Sequence, residues 1–155
     1  GAGTSVVTPV AVGAGTFAAF YAAARVARKV PVLDDALHSV LAYTRGGSAA
    51  LVLGTALFNG VAEEVFFRGA VYDVAGPKHQ VAATTAAYMA VTAATRNPAL
   101  VVASGVMGWT FALQRRATGG IRAPIVTHVT WTTLMLRYLP PLFDRTGLVG
   151  EKAPP

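Results

Sequence analysis

Charge is distributed along this chain so that five long stretches carry almost none of it. Gly1 to Ala24, Gly46 to Ala62, Gln80 to Thr95 and Asn97 to Gln114 hold no Asp, Glu, Lys or Arg, and Ala123 to Leu136 holds a single histidine. A bilayer-spanning helix needs about 17–25 largely apolar residues, because hydrocarbon offers the backbone no partner outside its own helix. Two of the runs are slightly short and need their flanks. Charged residues form 13% of the 155, about half of the quarter found in soluble domains. The hydrophobic share is 54% and the mean hydropathy +0.50. Much of that is Ala, Gly and Val, a content that a very apolar soluble helical domain also shows. The spacing of the runs predicts an all-α, polytopic membrane helical bundle with about five transmembrane helices, in a single transmembrane domain over residues 1–155.

The bases separate the runs: Arg25, Arg28 and Lys29, then Arg115, Arg116 and Arg122, then Arg137 and Arg145. With a net charge of +6, a soluble chain would invite nucleic acid. Bases confined to connections instead meet lipid headgroups, so membrane lipids are the expected partners and nucleic acid is not. The absence of cysteine excludes disulfides, thiolate metal sites and thiol catalysis. The opening Gly1-Ala2-Gly3, with no basic segment before its apolar run, reads as a processed or truncated end.

Helix one is predicted over Ser5 to Ala24. Gly15, Ala19 and Ala23 recur in it every four residues, the small-residue pattern that lets helices approach closely; an Ala-rich helix produces the same spacing by accident. Pro31 opens an amphipathic stretch, Val32 to Tyr43, suited to the membrane surface. Within it Asp34 and His38 are four apart, as metal ligands or as members of a solvated face. Helix two is expected from Ser48 to Val74, broken at Gly76-Pro77, helix three over Gln80 to Thr95, and helix four over Ala99 to Arg115. Helix five is expected over Pro124 to Tyr138, stopped by Pro140-Pro141, with an unstructured tail to Pro155.

Glu63, Glu64 and Arg68 interrupt this pattern, since apolar Val65-Phe66-Phe67 continues between them. Each such group costs roughly 2.5–3.5 kcal/mol at a helix centre on insertion scales. At helical spacing Glu64 and Arg68 share a face with the acid first, the favourable order for an ion pair. Glu63 points about a quarter-turn away, on the face of Asn59, and is the freer carboxylate, suited to act as a general base on water. The bland reading is that these charges mark a helix end at the interface. His128 is an intramembrane histidine and a functional candidate on that ground, or else a core histidine bonded to a neighbouring helix. Thr85, Tyr88, Thr92 and Thr95 form a polar stripe that either reaches Glu63 or His128 or packs helices.

The segment Ala62-Glu63-Glu64-Val65-Phe66-Phe67-Arg68-Gly69 resembles the first motif, EExxxR, of the CPBP family of CAAX-processing and bacteriocin-processing or bacteriocin-immunity proteins (Abi). Gly119-Gly120-Ile121-Arg122-Ala123-Pro124 leading to His128 is similar to the approach and histidine of its third motif. The resemblance runs from about Leu51 to Leu136, within a family-like core of about residues 48–140. It implies a helical intramembrane endopeptidase in which Glu63 activates water and His128 holds the oxyanion or orients the water. Glu64, grouped with them as catalytic, and Arg68 would organise the site, with Asn59, Tyr88, Thr92 and Thr132 around it. Two positions depart from the family. Tyr88-Met-Ala-Val-Thr92 matches FxxxH with threonine in place of histidine, and His128-Val-Thr-Trp-Thr132 ends in threonine rather than asparagine. Losing one polarising donor costs about 10²–10³ in rate in hydrolases.

The resulting expectation is a CAAX-type intramembrane endopeptidase, glutamic-type or metallo-type, in a bacterial plasma membrane, acting on a peptide or membrane-protein substrate. The alternative is a catalytically inactive relative serving as a structural, immunity or complex subunit. A proton- or cation-coupled carrier would need more polar residues along a path. No cofactor is expected: catalytic zinc takes three protein ligands as a rule, and Arg68 competes for one of Glu63, Glu64 and His128, although a divalent metal stays open.

Overall fold

The computed structural model describes residues 5–143. They fold into six helices: α1 (Val7–Ala27), α2 (Pro31–Ala42), α3 (Ala49–Val74), α4 (Gln80–Ala93), α5 (Pro98–Thr118) and α6 (Arg122–Leu142). Among the described residues there is no strand. The ends follow from local chemistry. Ser48 caps α3 by accepting from Leu51 N at 3.1 Å, which satisfies one of the orphan N–H groups of the first turn. Asn97 caps α5, its Oδ1 accepting from Ala99 N and Leu100 N, and Pro98 follows at the first helical position, where no N–H is needed. Gly119 ends α5 in the left-handed region at φ 75, a conformation open to glycine at little cost.

Contacts sort the helix ends into two sets. At one end the start of α1, the end of α5 and the start of α6 meet, because Gln114 donates to Thr127 and Thr127 to the Pro9 carbonyl. The end of α3 and the start of α4 join them, through Arg115 with Asp73 and Gln80 with the Tyr72 carbonyl. At the other end Ala24, Leu41, Leu139 and Phe143 form an apolar cluster, and Asn97 Nδ2 bonds the Ala36 carbonyl of α2 at 2.8 Å. So α1 and α6 run parallel, while α3 and α5 run against α6. Short α2 packs across the second end.

Beside its apolar clusters the packing carries a feature that is rare in a water-soluble core. Glu64, Arg68, Thr84 and Thr127 are fully buried, whereas Phe58 is 78% exposed and Leu51 67%. Two helices, α1 and α3, are long and apolar enough to cross a membrane. By the same measure α4 is too short, and α5 and α6 are long enough but too polar.

Several expectations are corrected. The helix expected as the fifth is α6, and it runs through Pro140 and Pro141 to Leu142 rather than stopping before them; in a last turn a proline's fixed φ fits the helix and few bonds remain to be lost. It starts at Arg122, placing Pro124 in the first turn. The four-residue series Gly15, Ala19 and Ala23 is exposed and does not carry the contact of α1 with α6. Gly15 has open space around it, and Gly13 instead meets Thr130 and the Thr127 carbonyl. Asp34 and His38 pair with each other at 3.4 Å, and the His38 ring lies edge-on to Phe143. The tail after Phe143 lies outside the described residues.

Candidate active site

Glu63 and Glu64 end the regular part of α3, and Val65–Val71 continues it as a wider π-helical turn. Such turns release carbonyls from the ladder and occur often at functional sites. Here the Arg68 carbonyl accepts from Arg115 Nε at 3.0 Å, and Arg115 Nη2 reaches Asp73 at 2.9 Å. Arg68 is thus held from both sides, its backbone by α5 and its side chain by Glu64.

The two glutamates separate as their helical phases require. Glu64 is fully buried, and its Oε1 accepts from Arg68 Nη1 at 3.2 Å and lies 2.8 Å from His128 Nδ1. The Arg68 guanidinium stands 4.5 Å from the Tyr88 ring and 5.0 Å from the Phe111 ring, cation–π distances at which desolvation strengthens the attraction. Phe111 also stacks on His128, 4.8 Å between centroids with planes 17° apart. The His128 ring fits because residue 60 is glycine: a Cβ there would lie 3.3 Å from its Nε2 and Cδ2.

Glu63 stays partly open to the outside, its side chain 29% exposed. Asn59 Nδ2 donates to its Oε1 at 3.0 Å and the Tyr88 hydroxyl to its Oε2 at 2.8 Å. Across from that second oxygen, at 3.9 Å, is His128 Nε2. In the tautomer in which Nδ1–H of His128 donates to Glu64, Nε2 keeps its lone pair toward Glu63. The gap is longer than a direct hydrogen bond, and polar contacts beyond about 3.5 Å are where bridging waters are found.

The structure therefore brings Glu63, Glu64, Arg68, Asn59, Tyr88 and His128 together. Neither Thr92 nor Thr132 makes a hydrogen bond to the side chains of these six among the described residues. The Thr92 hydroxyl is turned back onto the Tyr88 carbonyl at 2.8 Å, and among the described residues no hydrogen bond joins Thr132 to the cluster. Of the polar stripe on and just after α4, Tyr88 alone hydrogen-bonds a site side chain; Thr85 bonds the Val81 carbonyl and Thr95, past the helix end, the Thr92 carbonyl. Sequence reasoning missed Gly60, Gly108 and Phe111. A Cβ on Gly108 would come within 3.0 Å of Arg68 Nη2 and Tyr88 Cδ1, but nothing in an uncharged run marks which glycine or phenylalanine faces a charge.

The family model described as type II CAAX prenyl endopeptidase, Rce1-like, matches residues 45–134, more than half of the chain and all of the site just described. The chain belongs to the Rce1-like type II CAAX prenyl endopeptidase family. No curated protein and no solved structure gives a significant match. Membership agrees with the CPBP resemblance of the EExxxR segment, and makes this a helical membrane protein of an endopeptidase family. The Rce1-like match runs from ahead of α3 into α6, whereas α1 and α2 precede it.

Proposed function

We propose that this Rce1-like chain is an intramembrane endopeptidase, a single transmembrane domain over residues 1–155 set in a bacterial plasma membrane with α1, α3, α4, α5 and α6 crossing it. The observation that carries the reaction is the facing of Glu63 Oε2 and His128 Nε2 at 3.9 Å, with Glu63 partly open to its surroundings. One hydrogen of a bridging water bonds to Glu63 and the other to Nε2, so the oxygen lone pair is free to attack a peptide carbonyl. Glu63 takes the first proton as the C–O bond forms, and returns it to the amine as the C–N bond breaks, the general base then acting as general acid. Glu64 fixes the imidazole, and Arg68 balances the Glu64 charge. Asn59 and Tyr88 hold Glu63, while Thr92 and Thr132 line the surroundings. The reaction is assigned no cofactor. The family description directs the reading to a peptide or membrane-protein substrate with a CAAX-type C-terminus.

A second reading rests on a specific contact. The Thr92 hydroxyl, where the family motif has histidine, is spent on the Tyr88 carbonyl, and so offers nothing to a developing oxyanion. An inactive subunit of a membrane complex, held together by the same charges, accounts for that contact equally well. Cleavage of a membrane-anchored CAAX reporter, with and without its prenyl group, separates the two. In the protease reading the wild type cleaves, Glu63→Gln lowers the rate by about 10² or more, and Thr92→His raises it by about 10–10². Cleavage by Thr92→His alone assigns the wild type to the inactive class. Undiminished cleavage by Glu63→Gln removes the glutamate from its role.

A further inference from the structure

Away from the glutamates, a cleft of about 520 Å³ opens between the start of α1, the end of α5 and the start of α6. Small-molecule sites occupy roughly 300–1,000 Å³. Its walls include Val6, Pro9, Val12, Ala117, Ala123 and Val126. Gln114 also lines the cleft; its Nε2 donates to buried Thr127 Oγ1 at 2.7 Å, Thr127 donates to the Pro9 carbonyl at 3.0 Å, and the Gln114 Oε1 is buried with no hydrogen-bond partner among the described residues. None of the residues of the candidate active site lines it.

We propose that this cleft binds an anionic phospholipid, with one acyl chain between the apolar walls and the phosphate at the mouth by Arg122. The inference rests on the reading of the chain as a bundle in a membrane. Arg122 lines the cleft and is exposed, and exposed Arg116 immediately precedes the lining residue Ala117. Arg122 already interacts within the protein; a guanidinium carries five N–H donors in a planar fork, so it can serve a phosphate alongside such a partner. No acid occurs in the sequence between Asp73 and Asp144, and Asp73 is bound to Arg115, so this stretch of the chain is cationic. A free phosphate would match only the mouth, and an apolar ligand only the walls. A lipid with a charged head and an acyl tail matches both.

The test uses wild-type protein and the variants Arg122→Gln, Val126→Trp and Arg137→Gln, each inserted into vesicles of mixed phosphatidylglycerol and phosphatidylcholine. After gentle detergent extraction, native mass spectrometry counts the retained lipids. The wild type is expected to keep phosphatidylglycerol in preference to phosphatidylcholine. Arg122→Gln should lower that retention about fivefold, the effect of one cation near a phosphate. Val126→Trp should lower it by filling the cleft, and Arg137→Gln, at the opposite end of the bundle, should leave it unchanged. Where Val126→Trp fails to fold, Arg122→Gln decides. Equal retention of both lipids by the wild type, equal losses in Arg122→Gln and Arg137→Gln, or full displacement by inorganic phosphate would overturn the proposal. Failure of the wild type to float with the vesicles would instead overturn the membrane reading on which it rests.

Discussion

At the scale of the residue, the two adjacent glutamates do different jobs because one position along a helix is about a quarter-turn. Glu64 faces inward onto Arg68 and His128 and is fully buried, while Glu63 faces Asn59 and Tyr88 and keeps part of its surface open. Breaking a buried, paired charge costs about 3–5 kcal/mol because the partner is left uncompensated. Glu64→Gln is therefore expected to lower the thermal unfolding temperature of the detergent-solubilised protein steeply. Glu63→Gln, with a partly open side chain and neutral partners, should stay close to wild type in the same measurement; equal losses would contradict this division. The division was legible in the sequence, since four-residue spacing pairs Glu64 with Arg68 whatever surrounds them. The link from Glu64 to His128 was not, because 64 residues of chain separate them and no local pattern encodes that meeting.

At the scale of the element, the helices and their breaks were largely readable from charge-free runs, prolines and glycines. Which face each helix turns inward was less so. Hydrophobicity cannot distinguish a face packed on protein from one left outside when both are built of Ala, Gly and Val, and α1 shows the result. Its repeated Gly15, Ala19 and Ala23 are exposed, while Pro9, Gly13 and Ala24 are buried. A Cβ at Gly13 would stand 2.8 Å from Thr130 Cβ and 2.9 Å from the Thr127 carbonyl oxygen, and a backbone atom has little room to yield. Gly13→Ala should thus cost about 1–3 kcal/mol by forcing α1 off α6. Gly15→Ala should be neutral or stabilising by up to about 1 kcal/mol through helix propensity. Parallel unfolding curves of the two variants check the ranking, and the reverse order would refute the α1–α6 contact. The π-helical turn after Glu64 was likewise invisible, since its residues suit an ordinary helix equally well.

At the scale of the whole molecule, the buried charges and exposed apolar side chains are what lipid, rather than water, rewards. Trp109, 48% exposed on α5, belongs to that outer surface, whereas the Trp131 indole nitrogen is buried. In single-tryptophan variants reconstituted with lipids brominated along their chains, Trp109 fluorescence should be quenched more strongly than that of Trp131. Equal quenching would mean that the outer surface is not the lipid-facing one. The pairing of helix ends has a further consequence, one of connectivity. Because α1 begins at the end where α6 begins, and α6 finishes at the other, the described chain enters at one end of the bundle and leaves at the opposite one. Under the proposed five passes through a membrane, a domain joined ahead of Ser5 and one joined behind Phe143 would occupy different aqueous compartments, and anything tethered to both would have to bridge the bilayer.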